Sequence, residues 1–525
     1  MAFGFFKKQE TADILFTNGT IYTMDPDQPN AQAIACKDGR ILALGDRQQL
    51  NSLVSNRTEI IDLQGQTMLP GFVKLNSALA QEAFLPTCIP LSQLPGPQQA
   101  LTFDKEIEAA KASAKEKAAA KESASDDREF LCENAATLLS RVPFLAKIAF
   151  YLQTQPVAQE PEQQSESHAP QGLFFYGGCR AQLAGCSRKE IRAALDLICP
   201  DRPLLILLEE GSLCLLNTRG ANAVQTAAEE DSVTHLSIDY IVSVIAAPDF
   251  EAYQQTVAAQ GAALAQKGYT TVFDCLSRDY PQSLYRSCLQ ELLLEEQLTQ
   301  RYFAAYFLRE PEETALLLHK LRQRQTDCTE LQDMIRCDAL HIDIGPASTA
   351  SSAGVAGTPG ALGVSDVSET AAQVLTISES HLQELCVHAA DIGCNLMLTA
   401  SGQDAAQACA QALCGVRNQG YKKNAAIFAY SSVASEDDIR EQLPTDECFL
   451  EKHLLPESAN STAQAIDRLT VDAAEALRMS HLLGSLQKGK AADFTVLPCD
   501  PHQQSLSEFL QTPASFTVVA GKLIR

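Results

Sequence analysis

Residues 69–81 read LPGFVKLNSALAQ, and this stretch is the starting point for predicting the fold of the chain. Its first five residues form an apolar run after a turn, which predicts the start of a buried parallel strand. An enzyme that builds a metal site at the carboxyl end of such a strand places histidines there. This chain has Lys74, Asn76 and Ala78 instead. The stretch therefore predicts the strand but not the metal ligands.

The middle of the chain alternates between strand-like and helix-like segments. Residues 249–268 and 378–393 have the pattern of helices. Buried strands are predicted at 202–211, 269–277, 301–308, 339–345, 394–401 and 425–432. Strands that alternate with helices indicate a parallel α/β fold, and this many repeats favours a closed (β/α)8 barrel over an open sheet.

Both ends of the chain are rich in short strands. Asn18-Gly19 and Asp38-Gly39 stand between β-rich runs as hairpin signals, and Ala520-Gly521-Lys522 predicts a further turn. We therefore predict an α/β protein with a distorted or incomplete TIM (β/α)8-type barrel plus a small β-sandwich domain built from both termini. The sandwich takes residues 1–70 and 485–525, and the barrel takes residues 71–484, with an insertion at about 80–200.

Composition limits the classes of function. The 525 residues are 46% hydrophobic, enough for a sizeable core, and the formal net charge of −24 argues against nucleic acid or an anionic membrane as partner. We find no apolar run long enough to span a bilayer, and the first residues lack the order of a secretory signal. The expected location is the cytoplasm. The 17 cysteines form no Cys-x-x-Cys pair, so we expect reduced and mostly buried thiols.

Three stretches interrupt the alternating pattern. Residues 105–127 are charged and alanine-rich, which predicts an exposed helix, and residues 155–171 predict a flexible loop. The Gly/Ala/Ser-rich residues 345–368 directly follow a candidate barrel strand, where the active-site loops of barrels lie. Composition alone does not separate a functional role for these stretches from decoration.

The chain resembles the amidohydrolase superfamily, in the branch typified by N-substituted formamide deformylase. The resemblance rests on ADILFTNGTIYTMD, AIACKDGRILALG and IDLQGQTMLPGFV near the amino end, and on LTVDAAEAL and GSLQKGKAADFTVL near the carboxyl end. GSLQKGKAADF (484–494) combined with LPGF is specific. The resemblance implies a barrel with a metal-assisted hydrolytic site at the carboxyl ends of its strands.

The family's ligands are a His-x-His pair, a lysine or a carboxylate, two further histidines and an aspartate, which together hold zinc or a similar ion and an activated water. Each ligand position that can be carried over falls on a residue that does not fit this role. The positions equivalent to the family's site residues are Lys74, Asn76, Ala78, Ser212, Asp274, Leu340, Thr399 and Tyr430. The final aspartate has no good equivalent, and Thr445-Asp446 is either a remnant of it or a surface turn. Strands seven and eight are the least certain part of the barrel.

Few other residues carry a chemical signal. His341 follows the family's lysine position by one residue, and strand alternation turns it away from the side that Leu340 faces. We expect it to be a structural partner, with a metal role as the alternative. Asp274 is expected at the barrel mouth, and Asp343 is expected on the same side of its strand as His341. The sequence contains no Gly-x-Ser-x-Gly elbow and no evident Cys–His pair.

Two interpretations of function stay open. The first is a non-hydrolytic pseudoenzyme that binds a small molecule or serves as a subunit, as a homodimer or beside an active relative; no cofactor is expected. The alternative is a hydrolase of carbon–nitrogen non-peptide bonds, which would need zinc or another divalent metal. Fold resemblance alone does not restore an activity.

Overall fold

The fold is described from a computed structural model that places most of the chain. The described residues are 10–77, 79–84, 88–96, 105, 134–154, 172–208, 214–224, 238–245, 249–275, 282–308, 333–344, 377–420, 426–431, 439, 443 and 448–524. Except for Lys105, the charged stretch 105–127 lies outside them, as do the predicted loops 155–171 and 345–368 and the Thr445-Asp446 pair.

The strands fall into three sheets. In chain order they are β1 Ile14–Tyr22, β2 Asn30–Lys37, β3 Arg40–Gly45, β4 Glu59–Asp62, β5 Thr67–Pro70, β6 Phe72–Ser77, β7 Ile89–Pro90, β8 Leu173–Tyr176, β9 Leu204–Leu207, β10 Cys214–Leu216, β11 Tyr269–Asp274, β12 Arg301–Phe307, β13 Ile335–Ile344, β14 Asn395–Ser401, β15 Ala426–Ser431, β16 Cys448–Leu450, β17 Phe494–Leu497, β18 Phe516–Val519 and β19 Lys522–Ile524.

The helices lie mainly between the strands of the central region. They are α1 Arg47–Leu50, α2 Leu79–Phe84, α3 Asn134–Arg141, α4 Pro143–Thr154, α5 Arg188–Ile198, α6 Thr218–Ala223, α7 Ile238–Ile245, α8 Phe250–Ala265, α9 Gln282–Leu294, α10 Glu379–Asp391, α11 Gln403–Asn418, α12 Glu451–Leu454, α13 Thr462–Leu469, α14 Val471–Ala476 and α15 Leu506–Gln511. The two helices predicted from their pattern are α8 and α10. Asp249 and Ser378 cap them, since each side chain accepts backbone N–H bonds of the first turn.

The central sheet has seven strands in the order β16-β15-β14-β13-β12-β11-β6, and every neighbouring pair is parallel. This arrangement confirms the TIM-barrel-like α/β fold class. Within the described residues this sheet has seven strands and ends at β6 on one side and at β16 on the other.

The two faces of the central sheet bury different sets of residues. The inner face includes Val73, Phe273, Ala339 and Met397, which pack on one another and on residues of the segment 473–483. The outer face packs against helices; from β13 onward these are α10 and α11, which contact Leu340, Leu396 and Ala400. Such a double burial explains the nearly continuous apolar runs of these strands.

β13 contains a β-bulge near its middle. Ala304 of β12 pairs with Cys337, whereas Ala305 pairs with Ala339, so β13 carries one extra residue at this point. Because side chains alternate along a strand, one extra residue exchanges the faces of everything that follows. The bulge therefore determines which side chains of β13 reach the inner face at its carboxyl end.

The terminal sheet combines strands from both ends of the chain. Its order is β19-β18-β17-β5-β1-β2-β3, with β4 paired to β1. Asp38-Gly39 forms the predicted hairpin between β2 and β3, with φ of 48° and 72°. Asn18-Gly19 does not form a hairpin, because Asn18 (φ 60°) lies at an irregularity within β1. A left-handed Asn suits a bulge as well as a tight turn, so the dipeptide alone could not distinguish them.

Gly71 separates the terminal sheet from the central sheet. The run 69–73, predicted as a single strand start, is divided between β5 and β6 at this residue. A Cβ atom here would lie 2.0 Å from Thr270 Oγ1, so only glycine fits this close approach.

A four-stranded sheet occupies the region between β6 and β11, in the order β10-β9-β8-β7. Residues 202–211 contribute β9 to this sheet rather than a barrel strand. A short buried apolar run has the same pattern in any sheet, so the sequence could not assign it. Among the described residues no single helix is long and apolar enough to cross a membrane; α3 and α4 pass that test only as a pair, which bends by 100°.

Candidate functional site

A chain of hydrogen bonds joins three strands at the carboxyl end of the inner face. His341 of β13 is 8% exposed. Its Nδ1 lies 2.8 Å from the carbonyl oxygen of Cys275, just after β11, and its Nε2 lies 3.1 Å from Thr399 Oγ1 on β14. The Thr399 hydroxyl donates to Asp343 Oδ1 at 2.8 Å. We call His341, Thr399 and Asp343 the mouth triad.

Two of the hydrogen bonds in the mouth triad have a direction that the acceptor or donor type fixes. A carbonyl oxygen only accepts, so His341 Nδ1 carries a proton. The Thr399 hydroxyl gives its single proton to Asp343 Oδ1, and its oxygen also lies within hydrogen-bond distance of His341 Nε2. The arrangement is that of an imidazole ring and a carboxyl group bridged by a hydroxyl group.

The aromatic ring of Phe307 fixes the plane of the imidazole. The two ring centroids lie 4.9 Å apart with an interplanar angle of 76°, an edge-to-face contact. Packing and both nitrogens therefore hold His341 in one orientation, as expected for a structural partner.

His341 and Leu340, which stands at the family's lysine position, lie on opposite faces of β13. Leu340 is buried in the outer-face cluster with α10 and α11, so it does not reach the site. His341 lies on the opposite side of β13, as strand alternation predicts, but it is His341 and not Leu340 that faces the site, so the site position assigned to Leu340 is wrong. The physical reason is the bulge at 337–339, after which the odd-numbered residues of β13 point inward.

Asp274 does not lie at the barrel mouth, which corrects the expectation from the sequence. It is buried on the outer face beneath α2, where its Oδ2 accepts the backbone N–H of Ala80 at 2.9 Å. Burial, with this carboxylate as a further contribution, raises the pKa of the Tyr253 and Tyr302 hydroxyls on the same side. Asp274 follows Val272 by two residues and therefore shares its outward direction.

Lys74 is also directed away from the mouth triad. Its register partner is Val272 of the outer face, and its Nζ lies 5.6 Å from the ring centroid of Tyr269, at the amino end of β11. The contact is a cation–π interaction. Although Lys74 is equivalent to a site position of the family, its ammonium group therefore does not point toward the mouth triad.

The other predicted site residues fall wholly or partly outside the described structure. Asn76 belongs to β6, and Tyr430 belongs to β15 opposite Ala400, but only their backbones are described. Ala78 and Ser212 are not described. The prediction that Asn76, Ala78, Thr399 and Tyr430 surround one space stays a prediction.

The residues present do not fit the zinc ion that the fold implies. A catalytic zinc ion in a protein binds about three nitrogen, sulfur or carboxylate oxygen ligands, and each ligand atom must be deprotonated so that its lone pair can bind the metal. The described part of the chain contains no group of three His, Cys, Asp or Glu residues that could hold a metal ion. Both nitrogens of His341 are engaged, so the triad's imidazole offers zinc no lone pair.

Sequence reasoning identified His341, Asp343 and Thr399 separately but missed their connection. It also missed Cys275, which contributes a backbone oxygen, and Phe307. A carbonyl group has no sequence signal, and the bulge that aligns these residues is not visible in the hydrophobic pattern.

Comparisons with known proteins agree with the fold and the resemblance. Residues 389–524 match the model of the amidohydrolase family. An uncharacterized metal-dependent hydrolase from Pyrococcus furiosus has a similar structure, with a TM-score of 0.50 and 14% identity over 93% of this chain and 100% of that chain.

Similarity to curated proteins is confined to short segments. The chain is 39% identical over 62 residues to Protein LONG AFTER FAR-RED 3 of Arabidopsis thaliana (12% of this chain, 11% of that protein). It is 29% identical over 83 residues to N-substituted formamide deformylase of Arthrobacter pascens (16% of this chain, 15% of that protein). The matched segments thus span only about a tenth to a sixth of these relatives. The match to the amidohydrolase family therefore covers residues 389–524, and the structural similarity over most of the chain shows a shared fold.

Proposed function

We propose that this protein is a non-hydrolytic member of the amidohydrolase family, which uses the carboxyl end of its barrel for binding rather than for metal-assisted hydrolysis. One observation carries the proposal: the imidazole at the site already uses both nitrogens, on Cys275 O and Thr399 Oγ1. A metal ligand must present a lone pair toward an open position. The imidazole of the mouth triad uses both of its nitrogens within the protein instead.

The proposed role is the binding of a small molecule at the barrel mouth. The proposal also includes a role as a non-catalytic subunit, either in a homodimer or beside an active relative. The alternative is hydrolysis of carbon–nitrogen non-peptide bonds. Only the short similarity to N-substituted formamide deformylase favours that alternative. It would require ligands other than the mouth triad.

Metal analysis tests the proposal directly. The protein is produced with zinc or manganese supplied, purified without chelator and measured by elemental analysis. We expect well under one metal ion per chain and no chelator-sensitive hydrolysis of formamides, amides or cyclic ureas. One or two tightly held metal ions per chain, or hydrolysis that a chelator abolishes, would overturn the proposal.

Restoring part of the family motif provides a second test. The double variant Asn76→His and Ala78→His supplies the missing His-x-His pair. We expect neither a metal stoichiometry of one nor hydrolysis, because His341 remains engaged and Thr399 is a hydroxyl. A gain of metal and activity from these two changes alone would mean that the remaining ligands are present.

We also infer that the terminal sheet folds over itself into the small β-sandwich predicted for the two ends of the chain. Two observations support this: Arg40 at the start of β3 forms a β-bridge with Ala491, and Phe16, Ile34 and Phe494 share one buried cluster. A chain truncated before residue 485 would then expose that cluster. Far more protease cleavage within residues 1–70 of the truncated chain than of the full chain is the expected result, and equal resistance would contradict the inference.

A further inference from the structure

We propose that Asp343 is the recognition group of the barrel mouth and that it binds a small organic cation with N–H donors, a protonated amine or an amidinium. This inference rests on the proposed binding function and names its ligand class. The geometry that carries it is a partly buried carboxyl group whose Oδ1 is held by Thr399 and whose Oδ2 is not used by the mouth triad.

Asp343 is oriented before any ligand arrives. Its Oδ1 accepts the Thr399 hydroxyl at 2.8 Å, Thr399 is held by His341, and His341 is held by Cys275 O and the Phe307 ring. Each member of this series removes rotational freedom from the next. A recognition group whose rotamer is already fixed loses less conformational entropy on binding, which favours affinity.

The mouth triad uses only one of the two oxygens of Asp343. Asp343 is only partly buried, and within the described ranges its Oδ2 has no hydrogen-bond partner. A carboxylate oxygen accepts hydrogen bonds only, so the matching ligand group is an N–H or O–H donor. Charge-assisted bonds to carboxylates are the stronger kind, which favours a cationic nitrogen.

The order of charges along β13 favours a cation over an anion. Asp343 lies two residues closer to the carboxyl end of the strand than His341, so the carboxyl group is nearer the mouth and the imidazole ring is deeper. The lysine expected at the site turns toward Tyr269, and Arg336 lies over Phe303 in the lower part of the sheet. The net charge of −24 adds a weak long-range attraction for cations.

A divalent metal ion fits this arrangement less well than an organic cation. Calcium and magnesium take six or more oxygen ligands and depend on several carboxylates for affinity. The mouth triad contains one carboxylate, and one of its oxygens is already used. A single oriented oxygen suits one N–H donor.

Three shape-matched probes separate charge from shape: benzamidine (cation), benzamide (neutral) and benzoate (anion). Binding to the full chain is measured by titration calorimetry or by ligand-observed NMR. We expect benzamidine to bind about tenfold or more tightly than benzamide, and benzoate to bind most weakly. No binding of benzamidine, or equal binding of benzamide or benzoate, would overturn the proposal.

Variants then locate the site. Asp343→Asn keeps an oxygen acceptor for Thr399 but loses the charge, and we expect benzamidine affinity to fall about ten- to hundredfold. Thr399→Val, which removes the orienting hydroxyl, should weaken binding less. Asp404→Asn is the matched control, since Asp404 is an exposed acid in the first turn of α11, soon after β14, and binding should be unchanged. Equal loss in the Asp404 and Asp343 variants would show nonspecific attraction and refute the assignment.

Two further measurements keep the outcomes distinct. If Asp343→Asn does not fold, the three-probe series on the unchanged protein still decides the ligand class. A titration with Mn²⁺ or Ca²⁺ that binds through Asp343 more tightly than benzamidine would contradict the organic-cation assignment. Chelator-sensitive hydrolysis would contradict the proposed function, whether or not benzamidine binds.

Discussion

Arg301 and Asp493 form a two-bond ion pair that joins the central sheet to the terminal sheet. The guanidinium group donates from Nε to Oδ2 at 2.5 Å and from Nη2 to Oδ1 at 3.0 Å, and each side chain is 3% exposed. Asp493 Oδ1 also accepts the backbone N–H of Ala520 at 2.8 Å, and Arg301 Nη1 donates to Asp333 O. A pair buried this deeply is costly to break, because the remaining charge stays desolvated.

Replacing Asp493 by Asn should therefore destabilise the protein strongly. We expect a loss of about 3–5 kcal/mol in the free energy of unfolding, measured by denaturant titration. Glu296→Gln is the control, since Glu296 pairs with Lys522 at 3.0 Å with both side chains mostly exposed, and such pairs contribute about 1 kcal/mol or less. Similar losses in the two variants would contradict the importance of burial at this junction.

The His341 variants test whether the mouth triad ties strands β11, β13 and β14 together. His341→Ala removes two hydrogen bonds and the Phe307 contact, so we expect unfolding to become easier by about 2–4 kcal/mol. Thr399→Val should cost about 1–3 kcal/mol, because Asp343 loses its donor.

His481 offers a matched control for the His341 experiment, because its side chain is exposed. We expect His481→Ala to change the unfolding free energy by about 0.5 kcal/mol or less. If His341→Ala were equally mild, the hydrogen bonds of the mouth triad would contribute little, and His341 would not be the tie between the strands.

The elements that could be predicted from the sequence are those with local signals. The turn at Ala520-Gly521, with φ of 49° and 76°, and the caps of α8 and α10 depend on residues close together in the chain. The family resemblance was recoverable for the same reason, since it rests on continuous stretches near the two ends.

The features that could not be predicted depend on distant pairing. The bulge at 337–339 exists only relative to β12, yet it decides that His341 rather than Leu340 faces inward. The outward direction of Asp274 likewise follows from packing against α2 and α8, which residue spacing alone does not show. Alignment to a family motif shows where a residue lies along a strand. Which face of the sheet its side chain is on depends on how that strand pairs with its neighbours.

Cysteine reactivity should follow burial. None of the described cysteines is in a disulfide, and burial raises the pKa of Cys88, Cys288 and Cys386 to about 12. Because the thiolate is the reactive form, these three should resist iodoacetamide at pH 7.5 in the native protein. Cys499 is exposed and should be alkylated first, as measured by peptide mass spectrometry.

Unfolding in denaturant provides the control for that measurement, since all three buried thiols should then react at rates close to that of Cys499. Rapid native modification of Cys386 would be inconsistent with its position between α10 and the central sheet.

The capping box of α5 should make its stability depend on pH in the acid range. The Ser187 hydroxyl accepts the backbone N–H of Glu190, and the Glu190 carboxylate accepts the backbone N–H of Ser187 at 2.8 Å. Hydrogen bonds from the Ser187 backbone N–H, then from its hydroxyl, hold the pKa of Glu190 below its ordinary value of 4.5. A lowered pKa in the folded state means that the stabilisation is fully present above pH 4.5 and is lost as the pH falls through the lower folded value.

Glu190→Gln tests this sign, because glutamine can complete the box but does not titrate. The free energy of unfolding of the original protein should exceed that of the variant near pH 6, and the difference should shrink steadily as the pH is lowered from 4.5 toward 3. In a Ser187→Ala background, which removes the hydroxyl but keeps the backbone N–H, the pH-dependent difference should be smaller. A difference between protein and variant that stays constant from pH 6 to 3 would mean that Glu190 has the same pKa folded and unfolded, and that the box contributes nothing through its charge.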